Sequence, residues 1–142
     1  ASSKIMNWPA GAHANTLGGN LLACAAGIAT LNYMKKKNVG ENAQRIGKLI
    51  MRRLEEMKEQ YEIIGDVRGI GLMIGVEIVK DKKSKRIARE ERQQILCKAV
   101  EKGLLLLPAG ESAIRFAPPL IITKEQALHG LYIFEDAVRV VR

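Results

Sequence analysis

Aromatic side chains are scarce in this sequence: one Trp, three Tyr and two Phe among 142 residues. That leaves no series of flat rings on which nucleic-acid bases could stack, as they do in the RNA-recognition modules. Cysteine is confined to Cys24 and Cys97, which is too little for a disulfide framework and unlike any metal-ligand spacing. Each lies in an apolar helical context and is expected as a small core residue, in a reduced, cytoplasmic setting. The only histidines, His13 and His129, stand alone without a metal or catalytic motif around them and are expected in surface or packing roles. No apolar run reaches the roughly 20 residues that span a bilayer, and no signal-peptide pattern opens the sequence. No membrane partner is expected.

Negative charge is the minority, with 15 Asp and Glu against 23 Lys and Arg and a formal net charge of +8. The basic residues fall mainly in Lys35–Lys37, Lys48–Arg53 and Lys80–Arg89. The middle group alternates with apolar residues and runs into Glu55, Glu56 and Glu59, the pattern of a solvated helix face rather than of a nucleic-acid contact. With 47% hydrophobic and 27% charged residues, the composition is that of a folded globular domain.

The positive content of the sequence is its periodicity. Trp8-Pro9-Ala10-Gly11 is turn chemistry. Asn20 is placed to cap a helix over about Leu21–Lys36. The first half of that helix is small and apolar on every side, so it requires cover from other structure. Asn38-Val39-Gly40 reads as a break. Residues 41–60 carry apolar positions at three- and four-residue steps, a helix with one buried stripe. Gly71–Val79 reads as a strand, Lys80–Arg86 as a charged mobile connection, and Ile87–Lys102 as a second amphipathic helix ended by Gly103. Leu104–Leu107 reads as a short buried strand ended by Pro108, and Ala113–Ala117 as another ended by Pro118-Pro119. Thr123 with Gln126 three residues later forms a capping box for a last helix, Lys124 to about Val140. The fold class is therefore α+β, with helices packed on a small, mostly antiparallel sheet.

Two places are candidates for chemistry. Gly18-Gly19-Asn20 precedes a helix whose free N–H groups suit an anion, and the Thr16 hydroxyl could add a further hydrogen bond. The same residues also make a plain turn and cap. Arg115, in Ile114-Arg115-Phe116-Ala117-Pro118-Pro119, either needs a carboxylate or phosphate partner or turns to solvent by strand alternation. The pattern leaves both pairs of alternatives open.

Four segments, in order, resemble the class III, pyridoxal-phosphate-dependent aminotransferases. His13-Ala14-Asn15-Thr16-Leu17-Gly18-Gly19-Asn20-Leu21-Leu22-Ala23 is similar to the family's His-x-x-Thr-aromatic-Gly-Gly-Asn-Pro-Leu-Ala segment, with Leu17 and Leu21 departing from it. Ile64–Glu77 resembles its Asp-Val-Arg-Gly-x-Gly-Leu-Met strand. Lys102–Gly110 and Ile114–Leu120 resemble its last two strands. The resemblance implies that Thr16 binds the cofactor phosphate across a dimer interface and that Arg115 binds the substrate carboxylate, a task suited to its planar fork. It implies a C-terminal small domain of a fold-type-I enzyme over residues 38–142. Residues 1–37 would supply the phosphate loop and an interdomain helix belonging partly to a large domain.

The family's catalytic lysine belongs to a segment upstream of the threonine loop. Lys4, in Ser3-Lys4-Ile5-Met6, does not resemble its motif and is read as a surface residue. The opening Ala1-Ser2-Ser3-Lys4 reads as a segment already in progress. The expectation is the C-terminal part of an aminotransferase acting between an amino acid, such as 4-aminobutyrate or an ornithine-type compound, and a 2-oxo acid. The parent would be a homodimer or higher homo-oligomer. This part alone would be inactive and prone to self-association. The alternatives are an amino-acid racemase or epimerase of the same family, and a non-enzymatic module that binds an anion or a protein.

Overall fold

The computed structural model describes residues 2–141. The chain divides into two compact units, Ala1–Lys37 and Asn38–Arg142.

The first unit is a series of turns leading into helix α1 (Leu21–Lys36). The Asn20 side chain accepts a hydrogen bond from the Ala23 amide at 3.0 Å, the cap expected from sequence. Lys35 and Lys36 occupy the last turn, where positive charge complements the helix dipole. No residue of α1 is buried, and Leu21 and Leu22 are 87% and 81% exposed. Cys24 is exposed with them rather than a core residue.

The second unit contains α2 (Val39–Gln60), β1 (Ile64–Ile70), β2 (Met73–Ile78), α3 (Arg89–Glu101), β3 (Leu107–Ala109), β4 (Ala113–Phe116) and α4 (Lys124–Val141). Its sheet has the order β1-β2-β4-β3, and every neighbouring pair is antiparallel. The expected α+β arrangement is observed. Ile46, Ile50, Leu54 and Met57 of α2, Ile95 and Ala99 of α3, and Leu131 and Phe134 of α4 share one core with Ile74, Val76 and Ile78 of β2 and Ile114 and Phe116 of β4. Phe116 and Phe134 meet edge to face, with centroids 5.0 Å apart.

Several boundaries differ from the sequence reading. Lys37 and Asn38 form the break, with Asn38 in the left-handed region at φ 47°. Val39 and Gly40 are already helical, because buried Val39 extends the apolar stripe of α2 backwards. The segment Ile64–Glu77 is a hairpin rather than one strand. Gly71 has a positive φ of 55° and Leu72 does not, the pattern of a two-residue II′ turn. β1 went unrecognised because a bulge between Ile64 and Asp66 breaks its alternation. Ile64 and Val67, three residues apart, therefore both reach the core. The Lys80–Arg86 connection is a closed turn, with Ser84 N–H donating to Asp81 at 2.7 Å and Lys80 N–H to the Arg86 carbonyl at 2.8 Å.

Leu104–Leu107 is not a buried strand. β3 includes Pro108, and Leu105 and Leu107 are 83% and 54% exposed. Proline is tolerated there because β3 is an edge strand and needs no outward donor. Cys97 is exposed because α3 turns Ile95, Leu96 and Ala99 inward instead. The capping box before α4 is present, with Gln126 N–H donating to the Thr123 hydroxyl at 3.2 Å and Thr123 N–H to the Gln126 side chain at 3.0 Å. The Asn42 amide of α2 donates to the carbonyls of Leu120 and Ile122 at 2.8 and 3.1 Å, tying α2 to the approach of α4.

Helix α2 packs closely on the β1–β2 turn. A β-carbon at Gly47 would lie 2.0 Å from the Gly71 carbonyl oxygen, a backbone atom that cannot swing aside. Helix propensity alone favours Gly47→Ala by about 1 kcal/mol. Overpacking costs about 1–3 kcal/mol, and the contact here is severe. Gly47→Ala is therefore expected to lower the urea midpoint; a higher midpoint would show that helix and turn do not approach this closely in solution.

Candidate functional site

In the first unit the Thr16 hydroxyl is exposed and forms no side-chain hydrogen bond among the described residues. It stands ahead of a turn closed by Asn20 N–H donating to the Leu17 carbonyl at 3.1 Å, with Gly19 at φ 80°. At Gly18 a β-carbon would lie 2.8 Å from the end of the exposed Asn15 side chain, which is free to swing aside. The first intrahelical bond of α1 runs from the Cys24 amide to the Asn20 carbonyl at 2.9 Å. Asn20 occupies the Ala23 amide, which leaves the Leu21 and Leu22 amides as donors at the positive end of the dipole. No acidic residue lies in the first turn. A hydroxyl, two free amides and no opposing negative charge fit a phosphate group.

In the second unit β4 turns Ile114 and Phe116 inward and Arg115 outward. Of the two phases that the sequence allowed, the structure selects the solvent-facing one. Arg115 forms no ion pair or side-chain hydrogen bond among the described residues. Its register partners are Gly75 on β2 and Leu107 on β3. Beside it is a largely apolar pocket of about 340 Å³, lined by Leu104–Leu107, Arg115–Pro119, Ile122 and Leu131 among others. The run 104–107, expected as a strand, supplies one wall of this pocket. Arg115 is thus an unpaired cation on a strand that borders an apolar cavity, and an unpaired guanidinium near apolar surface can hold the carboxylate of a ligand whose body is apolar.

The other arginine on this sheet face is already satisfied. Arg68 donates to Asp66 at 2.9 Å and to Glu77 at 2.7 Å, and the buried Ser112 hydroxyl also donates to Glu77. Burial pulls the Glu77 carboxyl upward, but the hydrogen bonds from Ser112 and Arg68 outweigh it and hold the group below the usual carboxylate range. Sequence reading did not find this cluster. The alternation of Asp66 with Arg68 and of Gly75 with Glu77 was the available signal.

Thr16 belongs to the first unit and Arg115 to the second. Lys4 is exposed, as is His13, whose ring lies 5.2 Å from that of Trp8, and His129 is exposed on α4. Among the described residues there is no group of His, Cys, Asp and Glu that could hold a metal. No helix of the described residues is long and apolar enough to cross a membrane.

The sequence model of the family "Aminotransferase class-III" matches residues 1–138. The chain belongs to the class III aminotransferase family. This family uses pyridoxal phosphate. The chain is 44% identical to an alanine/serine racemase of Pyrococcus horikoshii, covering 96% of the chain and 29% of that protein. It is 42% identical to a leucine/methionine racemase of Thermococcus litoralis, covering 89% and 28% respectively. It is 39% identical to an acetylornithine aminotransferase of Caldanaerobacter subterraneus, covering 93% and 31%. Among solved structures, an amine transaminase from an uncultivated Pseudomonas species in its PLP-bound form superposes with a TM-score of 0.86 at 30% identity. That match covers 92% of this chain and 30% of the other. The chain thus spans about 30% of the length of the curated relatives it matches.

The Glu77 cluster gives a pH signature. A carboxyl with a lowered folded pKa contributes stability that is present above its unfolded pKa of about 4.3 and lost as pH falls through the folded value. Thermal unfolding between about pH 3 and 6 should show Glu77→Gln losing less stability on acidification than the wild type. Parallel curves would mean that Ser112 and Arg68 do not hold the carboxylate.

Proposed function

We propose that this chain is the C-terminal part of a pyridoxal-phosphate-dependent enzyme that moves an amino group between an amino acid and a 2-oxo acid. Arg115 binds the substrate carboxylate through its fork of donors, fixing the orientation of the reacting carbon. Thr16, with the Leu21 and Leu22 amides, holds the cofactor phosphate. Pyridoxal phosphate, when bound, supplies the electron sink that makes loss of the substrate's α-proton possible. The observation that carries the reading is the unpaired, solvent-facing Arg115 on a strand that borders an apolar pocket, in a chain whose family is established.

The apolar, unburied faces of α1 support a homodimer or higher homo-oligomer of the parent, with Thr16 serving the neighbouring subunit's cofactor. The donors include 4-aminobutyrate-like and ornithine-type amines, and the setting is the cytoplasm. A second reading, racemase or epimerase, is favoured by the names of the two archaeal relatives. Both reactions begin with loss of the α-proton. They separate in whether a 2-oxo acid acceptor is consumed.

The lysine that bonds the cofactor in this family has no counterpart motif in residues 1–142, so the chain by itself is expected to show no turnover. Borohydride reduction with pyridoxal phosphate should label no single lysine stoichiometrically, as read by intact mass and peptide mapping. One uniquely labelled lysine would refute that assignment. In the enzyme carrying this segment, Arg115→Gln should raise KM for the carboxylate substrate by about 10- to 100-fold. Thr16→Val should instead weaken cofactor binding by about tenfold. An unchanged KM in the first variant would remove Arg115 from the site. Product analysis with and without 2-oxoglutarate separates transamination from racemisation.

A further inference from the structure

Several glycines in and beside the sheet are explained by the chain itself. A β-carbon at Gly65 would lie 2.6 Å from the Val79 side chain, and one at Gly69 would lie 2.4 Å from the Met73 carbonyl oxygen. Gly71 has the positive φ of its turn. Gly75 has no such reason. It lies inside β2, its φ is not positive, and a β-carbon there would meet nothing nearer than the Arg68 carbonyl oxygen at 4.0 Å. A glycine within a strand gives up backbone order and a cross-strand contact, and it often marks close approach by a ligand. Neither the conformation of the backbone nor packing within the chain requires glycine at this position.

Its place in the register supplies a reason. Gly75 stands between Arg68 of β1 and Arg115 of β4, with Leu107 of β3 beyond Arg115. Arg68 is occupied by Asp66 and Glu77, so the row offers one free cation. Cross-strand neighbours lie about 5 Å apart, within reach of an arginine head group and the anion it holds. The Leu107 side of Arg115 carries an apolar side chain, and the Gly75 side is open.

We propose that Gly75 is a specificity-determining residue: the space above it receives the single carboxylate that Arg115 binds, while the apolar part of the ligand lies toward Leu107. A side chain at position 75 excludes the carboxylate without disturbing the fold. The inference rests on the reading of Arg115 as the carboxylate ligand, and the experiment separates the two.

The 142-residue chain is titrated with sodium 4-methylpentanoate and, separately, with its neutral amide. The Nε–H resonance of Arg115 is followed by NMR and assigned from its loss in Arg115→Gln. The expected result is a saturable shift with the carboxylate and none with the amide. Gly75→Val should raise the dissociation constant by about tenfold or more, the loss of a charge-assisted hydrogen bond. Gly75→Ala should raise it less. The thermal midpoints of both variants should not fall below that of the wild type, because the position is open. If Gly75→Val binds the carboxylate as the wild type does, the role of Gly75 is overturned and Arg115 keeps its own. If the wild type shows no carboxylate-specific shift, the Arg115 reading fails and this inference fails with it. A lowered midpoint in Gly75→Val would mean that the chain itself fills the space, which also overturns the proposal; Gly75→Ala then reports whether Arg115 binding survives a smaller change.

Discussion

The second unit depends on how closely α2 lies on the β1–β2 hairpin. Gly47 on the helix and Gly71 in the turn carry no side chain, so helix and turn backbone approach closely, with the small Ala43 side chain beside Gly71. That approach brings Ile46, Ile50 and Leu54 down onto Ile74, Val76 and Ile78. With β2 held there, β4 can pair along its other edge. Ile114 and Phe116 then point into the same core and Arg115 points away from it. The orientation of the free guanidinium is thus a consequence of helix packing on the opposite face of the sheet.

What was legible in the sequence was local. The Asn20 cap and the Thr123–Gln126 box are hydrogen-bonding arrangements written within four residues, and both are present. The stripe of α2 was legible because one face of a long helix repeats many times. β1 was not, because its bulge moves Val67 into the phase that strict alternation assigns to the other side. Leu104–Leu107 misled for a different reason. An apolar run suggests a buried strand, but here it lines a cavity and leaves Leu105 to solvent. Arg115 was identified as a residue but not by orientation. A strand of four residues has two equivalent phases, and only its register with β2 distinguishes them.

The two candidate positions differ in how they meet an anion. At Thr16 the donors are mostly backbone, set by a turn and a helix end, and they suit a group that stays in place. At Arg115 the donor is a long side chain beside an apolar surface, which suits a group that arrives and leaves. Under the proposed function one chain carries both.

The edges of the sheet have a consequence of their own. β3 closes one side with Pro108, which has no amide hydrogen to offer, and β1 closes the other with a bulge and the charged pair Asp66 and Arg68. Neither edge presents the flat ladder of donors and acceptors that a further strand would need. Association of a chain so rich in exposed apolar surface is therefore expected through side chains rather than by extension of its sheet.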